Sequence, residues 1–355
     1  MPLRGKQKLR LVIATPLEGE FVERIRAVAP RQVEVLHEPE LLPPVRYPSD
    51  HRGDPGFRRA PDAEERWEEL IAGADILWDI PPDRSEGGNV VDGARALRWV
   101  QTTSAGVGPR VQRLGLAERG VIVTTARGLH AGPLTEFTFM VLLARAKGYE
   151  YLKREQEMRR WQLYCTDSLA GKTLAIVGLG GIGRRIAATG KAFDMRVYGL
   201  VREGQQATAA ELGVDRVFRR AELHDMLRET DALVLCAPET PETISMIDRA
   251  ALAALKRSAV LVNIARGSLV DEGALVTALL SGQLAFAALD VFRTEPLPPR
   301  SPLWDLENVL VSPHSASTVV QENERLTDLF CHNLGLFLEG RIEEMRNRYD
   351  PQRGY

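Results

Sequence analysis

Thr173-Leu174-Ala175-Ile176-Val177-Gly178-Leu179-Gly180-Gly181-Ile182-Gly183 decides the fold of this 355-residue chain. A short apolar run reads as a buried strand, and glycines 178, 180 and 183 follow in G-x-G-x-x-G spacing before a helical pattern over 184–193. Gly178 permits a tight turn, Gly180 lets backbone approach a pyrophosphate, and Gly183 lets the helix pack closely on the strand. The helix N-terminus, with Gly181 and Ile182 in its first turn, offers N–H groups and positive potential to an anion. The glycine spacing alone is a weak signal. Set between a strand and a helix, with the next strand (Met195–Val201) arriving on schedule, it predicts a dinucleotide-binding turn.

Outward from that turn the chain keeps alternating. Six apolar strands are predicted at Thr173–Val177, Met195–Val201, Asp231–Cys236, Ala259–Ile264, Leu284–Asp290 and Asn308–Ser312. Helical patterns at Arg184–Phe193, Ala221–Glu229, Asp248–Leu255 and Glu272–Leu280 fill most gaps, as a doubly wound parallel sheet requires. Before it, Leu9–Thr15, Val33–His37, Ala74–Asp79, Leu97–Thr103 and Val121–Ala126 read as strands, with helices at Glu18–Val28 and Asp62–Ala72. The proline- and arginine-rich stretch 42–61 has no periodicity and reads as a long loop or insertion with no assigned role. Helical spacing resumes over Gly132–Lys147 and Glu150–Arg160, and a last amphipathic helix carries Val320, Leu326, Leu329, Phe330, Leu334 and Phe337. The expected fold is α/β: two Rossmann-like doubly wound parallel-sheet domains with an interdomain cleft. Residues 128–316 form the dinucleotide domain, and 1–127 with 317–355 form a discontinuous substrate domain.

Composition narrows the function classes. The formal charge of −2 offers no basic surplus for a nucleic-acid groove. Cys165, Cys236 and Cys331 are sparse and widely spaced, which reads as reduced thiols in a cytoplasmic protein. After the basic N-terminus the apolar run Leu11–Ala14 is too short for a secretory signal. No stretch approaches the roughly 20 apolar residues of a membrane span. The expected partner is a small molecule, with neither nucleic acid nor membrane.

The second strand of a dinucleotide fold usually ends in an acid that bonds the ribose 2′-hydroxyl. Here the tip reads Leu200-Val201-Arg202. A guanidinium pairs with a 2′-phosphate that a carboxylate would repel, so NADP is expected to be preferred, with NAD possible. Three further polar residues follow three successive strands: Arg266, Glu295 and His314. Carboxyl ends of parallel strands share one edge of a sheet, so the three can converge near the glycine turn. Together they suit reduction of a 2-oxo acid. Imidazole, which titrates near neutrality, gives a proton to the developing alkoxide; a carboxylate on its other nitrogen fixes the tautomer. Arginine grips the substrate carboxylate and polarises the carbonyl.

Three segments carry a family resemblance: Asn263-Ile264-Ala265-Arg266-Gly267-Ser268-Leu269-Val270-Asp271, Leu289-Asp290-Val291-Phe292-Arg293-Thr294-Glu295-Pro296 and Ser312-Pro313-His314-Ser315-Ala316. With the glycine turn and Gly128-Leu129-His130-Ala131-Gly132-Pro133-Leu134-Thr135-Glu136, the chain resembles the D-isomer-specific 2-hydroxyacid dehydrogenases over about residues 97 to 335. The resemblance implies hydride exchange between NAD(P)H and a small 2-oxo or 2-hydroxy acid of the glyoxylate or hydroxypyruvate kind, with the roles above falling on Arg266, Glu295 and His314. It also implies that Ser104, Ala105, Gly106 and Val107 form a turn whose N–H groups hold the substrate carboxylate, together with Arg266 and His314. Val201, Cys236, Ala237, Pro238, Thr240, Ile264, Ala265, Asp290, His314 and Ala316 would border the cofactor, and a homodimer is expected. The first 90 residues match only weakly. A dinucleotide-sensing binding protein, like the corepressors of this fold, is the alternative, since such a protein can keep the same residues.

Overall fold

The computed structural model describes residues 8–82 and 90–351; the outermost residues assigned above to the discontinuous domain lie outside them. The chain divides into two compact units, Met1–Leu129 with Thr318–Tyr355 and His130–Ser317. In the first unit, β1 (Leu9–Ile13), α1 (Gly19–Val28), β2 (Val33–Leu36), α2 (Pro61–Ala72), β3 (Ile76–Trp78), β4 (Trp99–Gln101), α3 (Gly108–Arg113) and β5 (Ile122–Thr124) follow one another. The strands pair in parallel in the order β2-β1-β3-β4-β5. Strands β3 and β4 are buried throughout and β1 and β5 nearly so, whereas the edge strand β2 alternates, with Val33 buried and Glu34 exposed.

The second unit runs α4 (Ala131–Lys147), α5 (Tyr149–Glu157), β6 (Thr173–Val177), α6 (Gly181–Ala192), β7 (Arg196–Leu200), α7 (Ala209–Leu212), β8 (Arg216–Phe218), α8 (Leu223–Arg228), β9 (Ala232–Leu235), α9 (Arg249–Ala254), β10 (Val260–Asn263), α10 (Glu272–Leu280), β11 (Phe286–Leu289) and β12 (Val309–Val311). Its seven strands are parallel, in the order β12-β11-β10-β9-β6-β7-β8. The strand succession reverses between β6 and β9, which opens a crevice at their carboxyl ends. The count of six strands was one short. β8 is a three-residue edge strand, Arg216-Val217-Phe218, flanked by Asp215 and Arg219, and so lacks the apolar run that marks its neighbours.

Helix α4 packs on α6, with Leu134, Phe139, Val141 and Leu142 in one buried cluster with Ile186 and Ala187. A final helix, α11 (Glu322–Leu338), belongs to the first unit, which is therefore discontinuous. Leu326, Phe330, Leu334 and Phe337 bury against Val22, Ile25 and Trp99, and Phe330 stacks on Trp99 at 4.8 Å between ring centroids. The 42–61 segment stays outside helix and sheet until α2 begins at Pro61. Asp50 organises it: its carboxylate takes Nε of Arg46 at 2.7 Å and the N–H groups of Arg52 and Gly53 at 3.2 and 3.0 Å. Those bonds hold the Asp50 carboxyl well below the usual carboxylate range, against the upward push of its burial.

Candidate active site

The glycine turn leaves β6 at its carboxyl end. Gly178 has φ +95°, a region that favours glycine, and a Cβ there would meet the backbone N of Ala237 at 2.8 Å. At Gly183 a Cβ would stand 2.0 Å from the Gly178 carbonyl oxygen, so helix and turn touch through backbone alone. At Gly180 a Cβ meets nothing within 4 Å, and no side chain caps the start of α6 at Gly181. Backbone donors with open space before them fit a pyrophosphate. Gly183→Ala should therefore lower stability by about 1–3 kcal/mol and abolish cofactor binding, read by thermal unfolding and nicotinamide fluorescence; binding at wild-type strength would show that the turn is not the phosphate site.

Cys236, after β9, borders the same turn: its Sγ donates to the carbonyls of Gly178 and Val177 at 3.0 and 3.4 Å. Burial pushes this thiol up to about 12, so it is a structural donor and not a nucleophile. Ala237 is buried beside Gly178, while the Pro238–Thr240 turn is closed by Thr243, whose Oγ1 donates to the Pro238 carbonyl at 2.8 Å. Beyond β7, Val201 is buried in the core and Arg202 is exposed.

On the other side of the crevice, β10 delivers Ile264, Ala265 and Arg266. Asn263 staples this bend: its Oδ1 accepts from Ala265 N–H at 3.1 Å and its Nδ2 donates to the Arg266 carbonyl at 3.0 Å. Arg266 Nη1 donates to its neighbour's carbonyl, that of Ala265, at 2.6 Å. A Cβ on the following Gly267 would fall 1.9 Å from the Phe292 carbonyl carbon, so only glycine brings this bend against the loop after β11. Phe292 N–H in turn donates to Glu295 Oε1 at 3.0 Å, and Glu295 Oε2 lies 2.8 Å from His314 Nδ1.

His314 itself has φ +56°, and the loop that holds it is tied by Asp290. This buried carboxylate accepts from Ser312 Oγ, Ser315 N–H and Ala316 N–H at 2.5, 2.9 and 3.0 Å. Burial raises the Asp290 carboxyl above its ordinary value, against those three bonds and the nearby imidazole, which act to lower it. Glu295 balances the other way. Its burial would raise it, but the His314 and Phe292 bonds and the Arg266 charge hold it below the usual range, so it is ionised at neutral pH. Arg266, Glu295 and His314 thus form one neighbourhood within the second unit.

Asn263 and Asp290 do work that the sequence does not assign to them. Asn263 had no assigned role, and Asp290 binds the His314 loop. Both are polar residues at the end of otherwise apolar buried strands, which is the signal that marks them. In the first unit, Asp79 (φ +65°) was also missed. Its carboxylate accepts from Thr103 Oγ1 at 2.7 Å and Thr103 N–H at 3.3 Å. Thr102 Oγ1 donates to the Ser104 carbonyl at 2.7 Å, so the turn Ser104–Val107 leaves β4 from fixed backbone, with Ser104 and Gly106 exposed and Val107 buried. Among the described residues no group of three or more His, Cys, Asp or Glu side chains could hold a metal, and no helix is long and apolar enough to cross a membrane.

Residues 139–316 match the family model described as the D-isomer specific 2-hydroxyacid dehydrogenase, NAD binding domain. A glyoxylate reductase of Aeropyrum pernix is 35% identical over 278 residues, covering 76% of this chain and 81% of that protein. Among solved structures, a D-isomer specific 2-hydroxyacid dehydrogenase family protein of Aeromonas salmonicida is 28% identical with TM-score 0.78, covering 97% of this chain and 100% of its own. An NADPH-dependent glyoxylate/hydroxypyruvate reductase of Sinorhizobium meliloti, in complex with NADP and sulfate, is 25% identical with TM-score 0.74, covering 98% and 100%. The chain belongs to the D-isomer specific 2-hydroxyacid dehydrogenases, NAD(P)-dependent oxidoreductases that act on a CH–OH group.

Proposed function

We propose that this enzyme reduces glyoxylate, hydroxypyruvate or a 2-oxo acid of similar size, with NADPH preferred over NADH. The observation that carries the reading is the His314–Glu295 contact at 2.8 Å beside the Arg266 bend, on the carboxyl edge that also bears the glycine turn. The nicotinamide, when bound, supplies the hydride. His314 holds the proton for the oxygen of carbon 2 on the nitrogen that Glu295 does not engage. Glu295, ionised, fixes the ring's tautomer. Arg266 takes the substrate carboxylate and polarises the carbonyl. Residues 128–316 serve the cofactor. Residues 1–127 and 317–355 serve the substrate, with the N–H groups of the Ser104–Val107 turn as donors to its carboxylate. The glyoxylate reductase names among the relatives and the NADP in the Sinorhizobium meliloti structure support the substrate class and cofactor.

A panel of small 2-oxo acids, tested with NADPH and NADH by loss of nicotinamide absorbance, examines this directly. Turnover of glyoxylate or hydroxypyruvate is expected, and a panel with no turnover on either cofactor would remove the substrate assignment. For the cofactor, Arg202→Asp is expected to shift the NADPH-to-NADH ratio of kcat/KM about tenfold or more toward NADH, since an attractive pair becomes a repulsive one. An unchanged ratio would end the role given to Arg202.

A homodimer is part of the proposal. Met158, Trp161 and Leu163, next to α5, are exposed, Trp161 at 98% and Leu163 at 90%, and apolar side chains this open commonly mark a surface that another chain covers.

A further inference from the structure

The adjacent strands β6, β7 and β8 end in a row, placing the glycine turn, Arg202 and Arg219 along one edge of the sheet. Arg219 follows the fully buried Phe218, and its backbone N–H donates to Glu222 Oε2 at 2.8 Å, so the side chain starts from a fixed point. It turns back toward the loop after β7. Nη2 donates to the Gln205 carbonyl at 2.7 Å, and Nη1 is buried with no hydrogen-bond partner. Among the described residues no carboxylate pairs with the guanidinium: Glu222 takes the Arg219 backbone N–H, Asp215 pairs with Lys191, Asp225 with Arg228 and Glu229 with Arg216, and Glu211 serves the capping box of α7. A guanidinium nitrogen drawn inward without a partner is costly, and a donor left orphaned calls for an explanation. An anion arriving with a ligand supplies one.

We propose that Arg219 is a second specificity-determining residue for the 2′-phosphate of NADP. Its guanidinium gives Nη1 to the phosphate while Nη2 keeps the Gln205 carbonyl, so that the phosphate and the loop that flanks it share one planar anchor. Approach to Nη1 requires the 202–205 turn to yield, and one long bond, Gln205 N–H to the Arg202 carbonyl at 3.4 Å, closes that turn. The inference rests on the NADP preference proposed above and adds a residue that the strand-tip reading did not reach.

The probes are 2′,5′-ADP and 5′-AMP, which differ by this phosphate alone, with affinities measured calorimetrically on the full-length protein. Wild type is expected to bind 2′,5′-ADP more tightly. Arg219→Gln should lose about tenfold of that affinity, the size of one charge-assisted bond, with 5′-AMP affinity held. Arg219→Lys, which keeps the charge but not the fork, should lose less, and it carries the test if the glutamine variant unfolds. Equal losses for both ligands would make Arg219 a support for the loop and nothing more, which overturns the proposal. Retained selectivity in the Arg219 variants, with selectivity lost in Arg202→Gln, would overturn it while leaving the NADP reading intact. A wild type that binds the two ligands equally would remove that reading and this one together.

Discussion

His314→Ala is expected to lower kcat for 2-oxo acid reduction about 100- to 10,000-fold, the range that a positioned general acid supplies, while the affinity for NADPH stays near that of wild type. The imidazole is held where a proton is needed and does not form the phosphate cradle. Its Nδ1 is engaged by Glu295 at 2.8 Å, and the Gly178–Gly183 turn stands on a different strand. Alanine at this position must also adopt φ +56°, so part of any effect could come from backbone strain. Asparagine tolerates that conformation and offers no proton at this pH, so His314→Asn should match the alanine variant in kcat and exceed it in stability. Substantial recovery of turnover in His314→Asn would mean that loop geometry, and not proton transfer, had been lost.

The pH dependence has a sign that follows from Glu295. Its carboxyl is held below its ordinary value in the folded protein, so the His314–Glu295 contact contributes fully above the ordinary carboxylate range and is lost as pH falls through that lowered value. Acid should therefore weaken the active-site loop, and Glu295→Gln should remove this acid sensitivity.

The second large effect falls on Arg266. Arg266→Ala should reduce kcat about 100- to 1,000-fold, comparable to removal of an oxyanion donor. The KM for the 2-oxo acid should rise about tenfold or more with loss of the charge-assisted pair to its carboxylate. Both constants move because the group binds the substrate carboxylate in the ground state and the developing alkoxide in the transition state. Lysine should recover little, since a point charge lacks the planar fork. The backbone of the bend is fixed by Asn263 and by the Gly267–Phe292 approach, so truncation of the side chain should leave the unfolding temperature nearly unchanged. A rise in KM with kcat untouched would reduce Arg266 to substrate binding alone.

Much of this site was legible because parallel strands impose order. Each of β6, β10, β11 and β12 is an apolar run whose end can be read to within two residues, and whatever follows such an end must lie on the shared edge. The glycine spacing and the Arg266, Glu295 and His314 positions came from that rule. Less accessible was anything set by contact between loops. That Gly267 must be glycine depends on a Phe292 carbonyl 25 residues away in sequence, and that Asp290 ties down residues 312–316 depends on the register between β11 and β12. Strand β8 escaped because a charged three-residue edge strand has no periodicity to detect. Arg219, which follows it, had no signal at all until the side chain was seen to curl onto the Gln205 carbonyl.

Transfer of isotope tests the central claim most directly. NADPH carrying deuterium at the transferable position of its nicotinamide, incubated with the enzyme and glyoxylate or hydroxypyruvate, should yield the 2-hydroxy acid with one deuterium on carbon 2 and none on oxygen after exchange. A product without label on that carbon, or no product from any small 2-oxo acid, would contradict a hydride passed to a substrate held by Arg266 and protonated by His314.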